Sequence, residues 1–83
     1  MKCELTKHAE LVIARRQIAL SWVETVLSNP AAVEPDPVDP QLEHRLCRIP
    51  ERDNRVLRVI VNKGTSPVRV VTAYFDRKMR SRL

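Results

Sequence analysis

Two β-rich runs studded with arginine, Arg55–Val61 and Val68–Arg77, constrain this chain more than any other feature. Each is dominated by β-branched and aromatic residues, and Lys63-Gly64-Thr65-Ser66-Pro67 between them is rich in turn formers. The pair therefore reads as an antiparallel hairpin. Alternation puts Leu57, Val59 and Val61 on one face of the first strand and Val56, Arg58, Ile60 and Asn62 on the other. Arg58 then stands among apolar neighbours, and an anionic group is expected to face it. In the second strand Tyr74 is read on the same face as Val68, Val70 and Thr72, with Phe75 turned to the core.

The segments upstream complete an α+β arrangement. Thr6 is a natural N-cap, and Ala9, Leu11, Val12 and Ala14 predict an amphipathic helix over 7–16. Leu20, Val23, Val26 and Leu27 keep the spacing of a buried stripe, so a second helix is expected over 20–28, with Ser21 and Glu24 placed as a capping box. Asn29-Pro30 stops it. Four prolines and three acids between Pro30 and Pro40 describe an extended connector, with a short edge strand near Val33 and Glu34. A strand over 42–49 then joins the hairpin through the Pro50–Asn54 turn. The expected fold is two N-terminal helices packed on a three- to four-stranded antiparallel sheet in a single domain. Its parts are a helical stretch (1–29), the connector (30–41), the sheet (42–76) and a basic tail (77–83) that reads as disordered. No internal repeat is evident.

Charge narrows the partners. The 83 residues carry a net charge of +5, unevenly placed. Residues 1–41 hold four basic and six acidic groups, whereas residues 42–83 hold eleven basic and four acidic. A cationic sheet of this kind attracts polyanions. Cys3 and Cys47 read as reduced thiols. A zinc site built from them with His8 and His44 is disfavoured, because His44 and Cys47 stand three apart on a strand and face opposite ways. His44 is read as structural or exposed. With no secretory h-region and no apolar run near the ~20 residues of a membrane span, a cytoplasmic protein is expected, without membrane partner or cofactor.

Leu5-Thr6-x-His8-Ala9, Arg15-Arg16-x-Ile18, Val23-Glu24-x-Val26-Leu27-x-Asn29-Pro30 and Val70-Val71-Thr72-Ala73-Tyr74-Phe75-Asp76-Arg77 together resemble the domain-of-unknown-function family numbered 4258, over nearly the whole chain. Through it the chain resembles, more remotely, RelE/ParE-type toxins and the barnase-like ribonuclease fold. That resemblance implies a metal-independent endoribonuclease or a ribosome-associated RNA-binding protein, encoded with a small acidic antitoxin-like partner. Such cleavage needs a base for the 2′-hydroxyl, cations for the developing phosphorane charge and an acid for the leaving oxygen. On this reading the catalytic set is His8, Arg15, Arg58 and Tyr74. His8 lies two helical turns before Arg15 on one stripe, Arg58 clamps phosphate, and Tyr74 stacks a base or donates its hydroxyl. Arg45, Arg69, Arg77, Lys78 and Arg80 are the nucleic-acid-binding candidates. The competing reading is a non-catalytic module whose cationic sheet docks an acidic partner or nucleic acid, with His8 an ordinary surface residue. On either reading, the charge split places Glu34, Asp36 and Asp39 to shield the cationic face from within the chain. No sequence feature fixes an oligomeric state.

Overall fold

The computed structural model describes residues 3–83. Helix α1 spans Lys7–Arg15 and buries Ala9, Val12 and Ile13. Thr6 caps it as expected, its hydroxyl oxygen accepting the Ala9 N–H at 3.0 Å. The helix closes in a Schellman motif: the Ile18 N–H reaches the Ile13 carbonyl at 3.0 Å and the Gln17 N–H the Ala14 carbonyl at 3.2 Å. Gln17 takes the left-handed conformation this motif requires, at φ 55°, and Ile13 and Ile18 are both buried in the core. Helix α2 spans Leu20–Ser28. Its N-cap is Ala19, which makes no side-chain cap bond. The capping box expected at Ser21 and Glu24 is therefore not formed. Burial of Ile18 brings the chain to the core early enough for the helix to begin at Leu20. Ser21 lies inside it, its carbonyl accepting the Thr25 hydroxyl at 2.9 Å.

Five strands form one mixed sheet: β1 (Cys3–Leu5), β2 (Ala32–Pro35), β3 (Leu42–Ile49), β4 (Arg55–Asn62) and β5 (Val68–Phe75), in the order β1-β5-β4-β3-β2. β1 runs parallel to β5 and every other pairing is antiparallel. The all-antiparallel sheet of three or four strands expected from sequence is thus too small. β1 is three residues long, too short to display a period of its own, and takes its register from β5, with Cys3 beside Val68 and Leu5 beside Val70.

Leu57, Val59 and Val61 face the helices and pack with Ile13, Val23, Val26 and Val70. On β5 the simple alternation fails. Partners jump from Ile60 with Thr72 to Val61 with Val70, leaving Val71 as an extra residue. Val68 and Val70 therefore keep to the helical side, while Thr72 and Tyr74 pass to the opposite, open side, so the four do not share a face. Phe75 packs against the core and meets Trp22 edge to face, with centroids 6.3 Å apart. The Arg52 guanidinium lies over both rings, 5.2 Å from Phe75 and 5.8 Å from Trp22.

The open side has a floor of buried Leu46 and Val56. Residues 77–83, expected as a loose tail, are fastened back across it. Arg77–Met79 form a 3₁₀ turn capped by Asp76, and the Arg48 guanidinium donates to the carbonyls of Arg80 and Leu83. Among the described residues no helix is long and apolar enough to cross a membrane.

Candidate anion-binding site

Arg58 answers the question posed by its apolar strand. It is 9% exposed on the open side of β4, and its partners come from three other segments. Nε donates to Asp76 Oδ2 at 2.8 Å, and Nη2 completes the ion pair at 2.8 Å from the same oxygen. Nη1 donates to Glu34 Oε1 at 3.0 Å and lies 2.8 Å from His44 Nδ1. A guanidinium only donates, so Nδ1 of His44 accepts and its Nε2–H points to Asp36 Oδ1, 2.7 Å away. Burial alone would disfavour the charge on Arg58, but the hydrogen bonds it donates to Glu34 and Asp76 outweigh it and push its pKa up. Asp36 is held down to about 2, first by the backbone N–H of Asp39, then by His44 and the N–H of Val38. The anionic groups expected opposite Arg58 are thus the chain's own carboxylates. Of the connector acids, Glu34 meets Arg58 and Asp36 meets His44, whereas Asp39 accepts the Gln41 N–H.

A second feature adjoins this network. A cavity of about 260 Å³ opens where β4 begins and β5 ends, lined by Arg55, Val56, Phe75, Asp76, Arg77 and Arg80. Among the described residues the side chains of these three arginines make no ion pair. Asp76, the carboxylate that holds Arg58, is also part of the cavity wall. Unpaired guanidinium groups gathered at one cavity suit an anion with several oxygens.

The catalytic set expected from sequence is divided by the sheet. His8 and Arg15 share a stripe of α1, as their spacing requires, but both are exposed to solvent on the helical layer. Arg58 and Tyr74 stand directly across from each other on the open side. The core of the protein lies between the two pairs, so the four do not converge. Arg16 rather than Arg15 reaches the sheet, donating to the Ala73 carbonyl at 2.7 Å. Arg45 leaves the nucleic-acid-binding group as well: it donates to the Leu27 carbonyl at 3.1 Å and to Glu43 at 2.9 Å, tying the end of α2 to β3. Arg69 is half exposed beside Glu4 at 3.4 Å. Arg77, Lys78 and Arg80 are exposed together at the C-terminal turn.

The family model described as Domain of unknown function (DUF4258) matches residues 5–75. The chain belongs to this family. No curated protein and no solved structure matches it. The family stretch holds Glu34, His44, Arg58 and Tyr74, and ends just before Asp76, Arg77 and Arg80. Sequence reasoning missed His44 and Glu34 as partners of Arg58. Both became legible only once the register was known, since Glu34 pairs with His44 across β2 and β3 and Arg58 stands beside them on β4. Cys3 on β1 and Cys47 on β3 are free thiols separated by two strands. No group of three or more metal-ligating side chains occurs among the described residues.

Proposed function

We propose that this member of the DUF4258 family is an RNA-binding protein that grips the phosphate backbone at the Arg55, Arg77 and Arg80 cavity, with Lys78 as an outlying contact. The observation that carries this reading is the grouping of three unpaired arginines around one cavity, while other cations of the sheet are spent inside the fold. Guanidinium forks match phosphate oxygens. RNA is the favoured polyanion on the sequence's remote resemblance, through the family, to RelE-type and barnase-like ribonucleases. Binding without cleavage is the better-supported form. A general base must lie within hydrogen-bond reach of its proton, and His8 stands on the far layer from Arg58. The test is fluorescence anisotropy with a labelled single-stranded RNA. The triple variant Arg55→Gln, Arg77→Gln, Arg80→Gln is expected to bind at least tenfold more weakly than the parent. Equal affinity would overturn the reading, as would a parent that ignores RNA and binds only a small acidic antitoxin-like protein.

Metal-independent cleavage is a second reading, favoured by one observation: a carboxylate, an imidazole and a guanidinium meet within 3.0 Å at Glu34, His44 and Arg58, with Tyr74 across the ladder from Arg58. It moves the proton-transfer role from His8 to His44. Incubation with RNA in excess EDTA checks it. Fragments ending in 2′,3′-cyclic phosphate that vanish with His44→Ala and persist with His8→Ala are expected on this reading, and an uncut substrate excludes it.

A further inference from the structure

We infer that the connector acids Glu34 and Asp36 are a displaceable cover over a second phosphate subsite, formed by Arg58 and His44 and continuous with the arginine cavity. The inference rests on the RNA-binding reading and extends it along the open face. Three observations carry it.

The two sites share a residue. Asp76 lines the cavity and holds Nε and Nη2 of Arg58, so a backbone seated on Arg55, Arg77 and Arg80 lies one side chain from Arg58. Next, the partners of Arg58 are unequally fixed. Asp76 is 12% exposed and grips one edge of the guanidinium, whereas Glu34, on the opposite edge, is 44% exposed. Nη1 is therefore the part that an incoming phosphate oxygen can take over from a carboxylate, a substitution of one oxyanion acceptor for another. Third, the covering acids lie at the rim of the fold. β2 is an edge strand of four residues paired on one side only, ending at Pro35. Asp36 closes the turn after it by accepting the N–H groups of Val38 and Asp39. Lifting this edge uncovers Arg58 and His44 without disturbing the helical core, because Glu34 and His44 point to the open side.

The subsite would take a phosphodiester of single-stranded RNA, and the cover makes the protein select ligands long enough to bridge cavity and subsite. The experiment compares Glu34→Gln/Asp36→Asn with Glu10→Gln/Glu24→Gln, which removes the same charge from exposed helix positions. The amides keep the hydrogen-bond acceptors of the connector, so the fold is retained, as circular dichroism and thermal unfolding would register. Anisotropy is read with a dinucleotide and a decanucleotide RNA. The connector variant is expected to bind the decanucleotide about tenfold more tightly than the parent, with the helix variant within twofold of it and the dinucleotide unaffected by either. Equal gains from the two variants, or no gain from the connector variant, would overturn the cover. Loss of binding in the Arg55, Arg77 and Arg80 triple variant is scored separately. A parent that depends on those arginines but not on the connector refutes the cover alone, while one that depends on neither refutes the RNA reading.

Discussion

Gln17 holds a left-handed backbone conformation at φ 55° where a glycine would meet no steric cost. Replacing it relieves about 1 kcal/mol of strain, partly offset by a more flexible unfolded chain. Gln17→Gly is expected to raise Tm by about 2–4 °C, as a thermal melt would show, and a lower Tm would contradict the motif. Arg58 is the opposite case. Its removal leaves the largely shielded Asp76 with no cation, and loss of one partner of a buried pair costs about 3 kcal/mol. Arg58→Met should lower the unfolding free energy obtained from urea titration by that amount, whereas His8→Ala, on an exposed helix surface, should change it by less than ~0.5 kcal/mol. The position of Arg58 among apolar neighbours was readable from alternation, because β4 is regular. The partners were not, since Glu34, His44 and Asp76 lie 24, 14 and 18 residues away along the chain. The grouping of Tyr74 with Val68 and Val70 failed for a local reason: one extra residue at Val71 puts the two halves of β5 out of phase.

Among the elements, α2 and β3 carried their boundaries in their own residues. Buried stripes and the proline stops at Pro30 and Pro50 mark where each begins or ends. Capping signals were less faithful. Thr6→Ala is expected to cost about 1 kcal/mol and Ser21→Ala almost nothing, because only Thr6 accepts a helix N–H. Chemical denaturation of the two variants decides between the observed N-cap and a capping box at Ser21. The connector supplies a prediction of sign. Asp36 is held down to about 2 in the folded protein, against about 3.9 in an unfolded chain. Its contribution to stability is therefore complete above about pH 4 and lost as pH falls toward 2. Urea midpoints measured across that window should decline in the parent and decline less in Asp36→Asn. Equal slopes would mean that the turn at Asp36 does not hold the connector.

On the scale of the whole molecule, the uneven charge of the chain becomes a division of labour. The acidic connector folds onto the open face, neutralising Arg58 from Glu34, while the arginines at the start of β4 and after β5 stay unpaired around the cavity. The sequence disclosed the surplus of cations in residues 42–83 but not which of them were free, because Arg45, Arg48, Arg52 and Arg58 are drawn inward by carbonyls, rings and carboxylates on distant segments. The convergence of His8 and Arg15 with Arg58 failed on the same ground: one helix stripe and one strand face are each legible alone, and the layer between them is not. RNA affinity measured over a salt series tests the central claim directly. Each phosphate contact to a single strand contributes about −0.7 to the slope of log affinity against log salt. The account predicts a slope about 2 units shallower in the Arg55, Arg77 and Arg80 triple variant than in the parent, and parallel lines for the two proteins would contradict it.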